Sequence, residues 1–282
     1  MPISKPVRIF LTIAVFAVFL VALPLLFLSD QTDRYFAWTI KPPITAAFLG
    51  SGYGAAALAL WLALREREWE RIRTGVWVIT TGLSLILLAT LLHLDRFHLY
   101  SHDFSLRVWA WTWLFLYIVL GPALMAALWS QWRMPGQDLP VDRPLSVSLR
   151  FAMRLLGIAM LAIGIALFIA PVTAETLWAW PLTPLTSRMT GSWFSAIGLS
   201  LLVAARENDY VRIRVVAAAY TAYALLQALT LARWPTVVDW LLPPVWLLVG
   251  VLASLFVIGV ACLTGAARSG PGTVSTKGDS TL

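Results

Sequence analysis

Charge, cysteine and histidine are the scarce residues of this sequence. Only 12% of it is Asp, Glu, Lys or Arg, about half the roughly 25% found in soluble proteins. With 60% of the residues hydrophobic, a water-soluble domain is excluded. The single cysteine, Cys262, rules out an intramolecular disulfide and leaves the redox compartment open. Its apolar neighbourhood also disfavours the thiolate a nucleophile needs. All three histidines lie in one stretch, HLDRFHLYSHD at 93–103, so haem held by axial histidines from two helices is excluded. The apolar runs carry no Asp, Glu, Lys or Arg away from their ends, which argues against ion pumps and proton-coupled carriers.

What the sequence has in abundance is long apolar runs. Eight occur, near 9–28, 44–64, 75–94, 108–130, 152–171, 189–205, 215–232 and 242–264. A helix needs about 20 such residues to cross a bilayer. The sequence therefore predicts an all-α polytopic membrane protein with eight transmembrane helices and no sizeable soluble domain. Lys5 and Arg8 precede the first run, but it exceeds the roughly 7–15 apolar residues of a secretory signal and no small-x-small site follows. It is expected to be a retained helix.

If the chain alternates from a cytoplasmic N-terminus, the inner segments hold 15 of the 21 basic residues and eight of the 14 acidic ones. Arg268 and Lys277 are among those basic residues. The whole net charge of +7 then falls on one side, the bias expected of an N-in, C-in protein of the plasma (inner) membrane. Anionic lipid headgroups are the expected partner for these dispersed cations, and no nucleic acid is needed to explain them.

The chain also repeats itself. Residues 43–73, PITAAFLGSGYGAAALALWLALREREWERIR, align without gaps to 184–214, PLTSRMTGSWFSAIGLSLLVAARENDYVRIR, and 13 of 31 positions are identical. The shared residues include Gly50/Gly191, Arg65/Arg206, Glu66/Glu207 and Arg73/Arg214. This predicts two four-helix units, 1–134 and 149–267. An even number of spans per unit makes them parallel repeats about an axis along the membrane normal. A cytoplasmic linker is expected at 135–148, rich in proline, and a disordered cytoplasmic tail at 268–282, rich in Gly, Ser and Thr.

The second unit carries Arg154, Gly157, Gly164 and Pro171 in its first helix region, then Arg188, Gly191, Gly198 and Arg206. This pattern resembles the DoxX-like group of small four-helix membrane proteins, here in tandem. The first unit departs from it at Ala47, which aligns with Arg188. The resemblance implies close glycine-mediated helix packing, and some members look like subunits of quinone-linked redox complexes.

Three groups of residues are candidates for function. On the seventh run, Tyr220, Tyr223, Gln227 and Thr230 fall within about 80° of one another at helical spacing. They form a polar stripe suited either to helix-to-helix hydrogen bonding or to lining a pocket. Trp38 and Trp180 each lie four residues before a proline, among ten tryptophans expected near the outer face. They read as an aromatic belt, or as the wall of a vestibule for a flat or lipid-like ligand. Asp95, His98 and His102 would share one helical face if the third helix continued that far, with the i, i+4 histidine spacing of zinc helices; the stretch reads equally as an irregular outer loop whose histidines make interfacial hydrogen bonds, or as a pH-sensing group. Asp103 is the expected N-cap of the fourth helix. The strings REREWERIR and RENDYVRIR read as salt-bridged hairpins with Trp69 and Tyr210 at headgroup level.

Two readings follow. One is a non-catalytic module that binds or passes a small apolar, lipid-like or quinone-like molecule, or serves as an accessory subunit, alone, as a homo-oligomer or in a larger membrane complex; it requires no cofactor. The other is an outer-face metal-dependent or redox protein holding a divalent ion at Asp95, His98 and His102.

Overall fold

The computed structural model describes residues 1–136, 138, 140–175 and 178–267; the expected tail, with Arg268 and Lys277, lies outside them. Among the described residues are eight long helices: α1 (Lys5–Phe27), α2 (Pro43–Arg65), α3 (Arg73–Leu91), α4 (Phe104–Trp132), α5 (Val147–Ile169), α6 (Pro184–Glu207), α7 (Arg214–Arg233) and α8 (Pro243–Ala267). No strand occurs among the described residues.

Local chemistry sets the helix starts. Proline occupies the first turn of α1, α2 and α6, where its missing N–H costs nothing and its φ is already helical. Thr183 and Thr186 close a capping box at the start of α6. Asp103 caps α4, as expected, accepting from the Ser105 and Leu106 amides at 2.7 and 3.3 Å. At the other end of α6, Asn208 takes a left-handed conformation with φ 53°, a turn that Asn tolerates better than most residues.

Seven of the eight helices are long and apolar enough to cross a membrane; α6 falls short. The chain is accordingly a multi-pass membrane protein of helical class. Phe16, Phe27, Ile158 and Leu229 are each more than half exposed on the bundle surface, a burden that water would not tolerate over so large an area.

The reason α6 falls short lies in its position. From Leu185 to Gly198 every residue of α6 except Arg188 is buried. Hydropathy reports contact with lipid, and a helix shielded by its neighbours is free to carry Ser and Thr if their hydroxyls are satisfied. Ser187 donates to the Leu167 carbonyl and Ser192 to the Arg188 carbonyl, whereas the buried Thr190 and Ser195 hydroxyls lack a well-formed bond. The aligned helix α2 is buried just as continuously from Ile44 to Tyr53. These two helices form the centre of the bundle.

Packing follows a reciprocal pattern. Helix α1 packs on α2, and α5 on α6. Helix α3 packs on α6 rather than on its sequence neighbour α2, and α7 packs on α2. The outer helices complete the set, with α4 against α1 and α3, and α8 against α5 and α7. Every one of these contacts maps onto another when the first four helices are exchanged for the last four.

Glycines permit the closest crossing. A Cβ at Gly164 would lie 2.5 Å from the Ser195 amide nitrogen and 2.7 Å from the Gly191 carbonyl. One at Gly157 would lie 2.9 Å from the Gly198 carbonyl. The four glycines that carried the sequence pattern thus meet in pairs between α5 and α6.

The residues 1–4, 66–72, 133–136, 140–146 and 208–213 gather at one end of the bundle, linked by bonds such as Ser4 N to Gln131, Arg8 to the Leu64 and Glu66 carbonyls, and Tyr210 N to the Arg143 carbonyl. The segments holding Trp38, the histidines, Trp180 and Trp234 lie at the opposite end, where His98 N donates to the Ala37 carbonyl.

Candidate functional site

A cavity opens where α2, α3, α6 and α7 cross. Its volume is about 70 Å³. Helix α2 supplies Gly52, Ala55, Ala56, Ala59, Leu60 and Ala63; α3 supplies Gly75, Val76 and Ile79; α6 supplies Trp193 and Ile197; α7 supplies Val216, Ala219, Tyr220 and Tyr223. Small side chains on α2 produce the space, since an Ala or Gly reaches less far than the neighbouring helix spacing. The wall holds no acid, amine, imidazole or thiol. Its aromatic residues are Trp193, Tyr220 and Tyr223.

Both halves contribute aligned positions to this wall: Gly52 with Trp193, Ala56 with Ile197, Gly75 with Val216, and Ile79 with Tyr220. In the first three pairs the small residue comes from the first half and the larger from the second. Gly52 faces the Trp193 ring so closely that a Cβ would lie 2.8 Å from it. The cavity therefore lies between the halves, with unequal walls.

The polar stripe of α7 divides into two roles. Gln227 donates to the Phe48 carbonyl at 3.0 Å, and Thr230 pairs with Ser51 at 3.1 Å; both tie α7 to α2. Tyr220 and Tyr223 line the cavity. The Tyr220 hydroxyl bonds Ser200 of α6. The Tyr223 hydroxyl and Gln227 Oε1, one turn apart, are buried without a well-formed hydrogen bond.

Trp38 and Trp180 are packed, not open. Trp38 sits against Trp113 and Phe97 with ring centroids 4.9 Å away in each case. Trp180 lies 5.3 Å from Phe48 and donates to Thr45 at 2.9 Å. The two tryptophans are 2% and 3% exposed, so their clusters fill the end of the bundle where a vestibule was expected.

Asp95, His98 and His102 do not converge. Helix α3 stops at Leu91 and a single 3-10 turn follows over Leu94–Arg96, so the shared helical face is never built. Asp95 pairs with Arg96 at 3.0 Å. His98 meets the Phe36 carbonyl and the Thr39 hydroxyl, each at 3.2 Å. No cluster of three metal-ligating side chains exists among the described residues. His93 instead reaches α6, where Arg188 Nη1 approaches its Nε2 to 2.6 Å. Burial, then the Arg188 charge, lower its pKa from the ordinary 6.5.

The opposite end of the bundle carries a charged network. Glu207 accepts from Arg73 Nε and Nη2, both at 2.6 Å, and from Arg212 at 3.3 Å. Glu66 accepts from Arg214 Nε at 2.8 Å and pairs with Arg71 at 3.8 Å. Within each half, Arg71 pairs with Glu68 and Arg212 with Asp209. Arg73 also bonds Asp138 of the linker at 2.6 Å and holds that carboxyl below its usual range. Trp69, expected at headgroup level, is buried.

No family model, curated protein or solved structure matches this chain. The alanine face of α2 escaped the sequence reading because alanine at helical spacing looks alike whether it faces a cavity or a neighbouring helix. The aligned small/large pairs were the available signal.

Proposed function

We propose that this protein is a non-catalytic membrane module, built of two DoxX-like four-helix units in tandem, that holds one narrow apolar chain between its halves. The observation that carries the reading is the cavity at the crossing of α2, α3, α6 and α7, whose wall is aliphatic apart from the rings of Trp193, Tyr220 and Tyr223. No carboxylate, imidazole, amine or thiol lines it, and these are the groups most used for acid–base or nucleophilic catalysis. What it offers is dispersion contact and exclusion of water. At about 70 Å³ it has about half the volume of an apolar cavity that takes benzene, ~150 Å³, which favours a single alkyl chain over a ring.

Support for the duplication comes from the exchangeable packing, the paired glycines of α5 and α6, and the charge pairs that cross between halves. Support for an N-in, C-in orientation in a plasma (inner) membrane comes from the gathering of the Arg-rich segments at one end. In this reading α6 is an eighth span, shielded from lipid by its neighbours.

The test is retention. Purified from its membrane in mild detergent and weighed intact by native mass spectrometry, the wild-type chain is expected to carry a lipid-like adduct. Ala59→Phe, which fills the cavity from α2, is expected to remove it, while Phe16→Leu, on the exposed surface of α1, is expected to leave it. An adduct undiminished in Ala59→Phe, in a protein that still folds, overturns the proposal.

A further inference from the structure

Arg188 is the one break in the buried stretch of α6 from Leu185 to Gly198. Its side chain is half-buried, yet among the described residues no carboxylate pairs with it. Its one hydrogen bond runs from Nη1 to His93 Nε2 at 2.6 Å. Nε is enclosed without a partner, whereas Nη2, also without one, is not enclosed. Other arginines at this end of the bundle are better served. Arg96 pairs with Asp95, Arg107 donates to the Ser101 carbonyl, and Arg233 donates to the Leu26 carbonyl.

Exchange of the halves shows that packing does not call for this pair. Arg188 aligns with Ala47, and in the same register His93 aligns with Trp234. The fold is therefore built once with Arg and His at these positions and once with Ala and Trp. A guanidinium drawn out of water needs a compensating negative charge, and a neutral imidazole supplies none. The other charged groups that bear on His93, Asp95 and Arg96, already neutralise each other at 3.0 Å.

The surroundings limit what the anion can be. Leu91 and Leu92, just before His93, are 47% and 54% exposed on the bundle surface. The pair of Arg188 and His93 thus stands where lipid-facing hydrocarbon gives way to the polar end segments. The phosphate groups of membrane lipids lie at that depth.

We propose that Arg188 and His93 form a binding site for a phosphodiester monoanion. Nη1 and Nη2 of Arg188 present the planar fork that matches two phosphate oxygens. His93, parted from Arg188, takes up a proton, and its Nε2 changes from acceptor to donor beside the same anion. Burial and the Arg188 charge lower the His93 pKa, and a negative charge between the two residues raises it again. A phospholipid headgroup and a small soluble phosphodiester offer the same chemistry; the exposed leucines favour the headgroup. The site depends on neither the central cavity nor its occupant.

Isothermal titration calorimetry on the full chain in an uncharged maltoside detergent tests this with three probes. Dihexanoyl phosphatidylglycerol carries the phosphodiester and two short chains, glycerophosphoglycerol the phosphodiester alone, and dihexanoylglycerol the chains alone. Wild type is expected to bind the first at least about tenfold more tightly than the third, the size of a charge-assisted hydrogen bond. Glycerophosphoglycerol binding as tightly as the lipid assigns the site to a soluble phosphodiester, and weaker binding assigns it to a headgroup; both uphold the anion site. Arg188→Gln is expected to abolish the preference and Arg188→Lys to keep part of it. Arg107→Gln, which alters an exposed arginine at the same end, is expected to leave it intact. From about pH 7.5 to about pH 5.5 a phosphodiester keeps its single charge, so wild-type affinity is expected to rise about tenfold as His93 takes its proton. His93→Gln is expected to remove that rise. No preference for the phosphodiester in wild type overturns the proposal without recourse to any variant. So does a preference that survives Arg188→Gln, one that Arg107→Gln abolishes equally, or a pH dependence that survives His93→Gln.

Discussion

Glu66 of the first half accepts two hydrogen bonds from the Arg214 guanidinium of the second, and Glu207 accepts two from Arg73 with the halves exchanged. The four residues are two aligned pairs of the repeat. Each half thus closes its charged end with the other half's arginine, where α3 leaves α2 to pack on α6 and α7 leaves α6 to pack on α2. The same short helix connection therefore serves as a hinge within a half and a clasp between halves.

The two clasps differ in exposure and are therefore expected to differ in strength. Arg73 is 22% exposed and Arg214 is 46% exposed, while both glutamates are largely buried. Glu207→Gln is expected to cost about 2–3 kcal/mol, near the lower range for breaking a buried pair. Glu66→Gln is expected to cost about 1 kcal/mol after solvent screening of its partner. Thermal unfolding in detergent reads both. A double-mutant cycle of Glu207→Gln, Arg73→Gln and the double change measures their coupling, whereas exchanging the two charges would set them against Asp138 and Arg212.

Glycine substitutions should separate by location. Gly164→Ala places a methyl 2.5 Å from the Ser195 nitrogen and must push α5 from α6, a change expected to cost about 1–3 kcal/mol. Gly82 and Gly250 have nothing within 4 Å of a Cβ. Alanine there is expected to stabilise by about 0.5–1 kcal/mol through helix propensity. Unfolding midpoints of the three variants check the contrast.

The fit across the central cavity should be non-additive. Gly52→Ala drives a methyl into the Trp193 ring and is expected to destabilise by about 1–3 kcal/mol. Trp193→Ala removes the obstacle, so the pair should cost less than the sum of the single changes. Additive losses would show that the two side chains do not meet.

His93 should give the fold an acid-sensitive component. Burial and Arg188 depress its pKa, Arg96 adds to the effect and Asp95 opposes it. The unfolded chain therefore takes up this proton more readily than the folded one. Stability from the neutral imidazole is fully present above about pH 6.5, its ordinary value, and declines as pH falls below it. The pH dependence of the unfolding midpoint checks this, and His93→Gln is expected to flatten it.

The helices were legible because apolar runs bounded by Pro, Asp103 and Thr183 leave few alternatives. Helix α6 shows where composition misleads: its Ser and Thr residues lower its hydropathy because neighbouring helices, not lipid, surround it. The alignment of Glu66 with Glu207 was visible, yet nothing in it said that each would pair across to the other half. That depends on which helix α3 chooses to pack against, a tertiary fact. HLDRFHLYSHD drew attention by its rarity, but its geometry depended on α3 continuing as a helix. With α3 ending at Leu91, His93 turned to Arg188 and His98 to Phe36 and Thr39. The tryptophans at 38 and 180 read as an aromatic belt or a vestibule wall, and instead they are packed interior, 2% and 3% exposed.

The central claim, that an apolar chain lies between the halves, is tested most directly by photocrosslinking in the bilayer. The full chain is reconstituted with a phospholipid bearing a diazirine on its acyl chain, irradiated, and the adducts are mapped by peptide mass spectrometry. Adducts are predicted on 52–63 and 215–223, the cavity-lining stretches of α2 and α7, and their loss is predicted in Ala59→Phe. Adducts confined to the lipid-facing surface around Phe16, Phe115 and Ile158, with none on those two stretches, would contradict it.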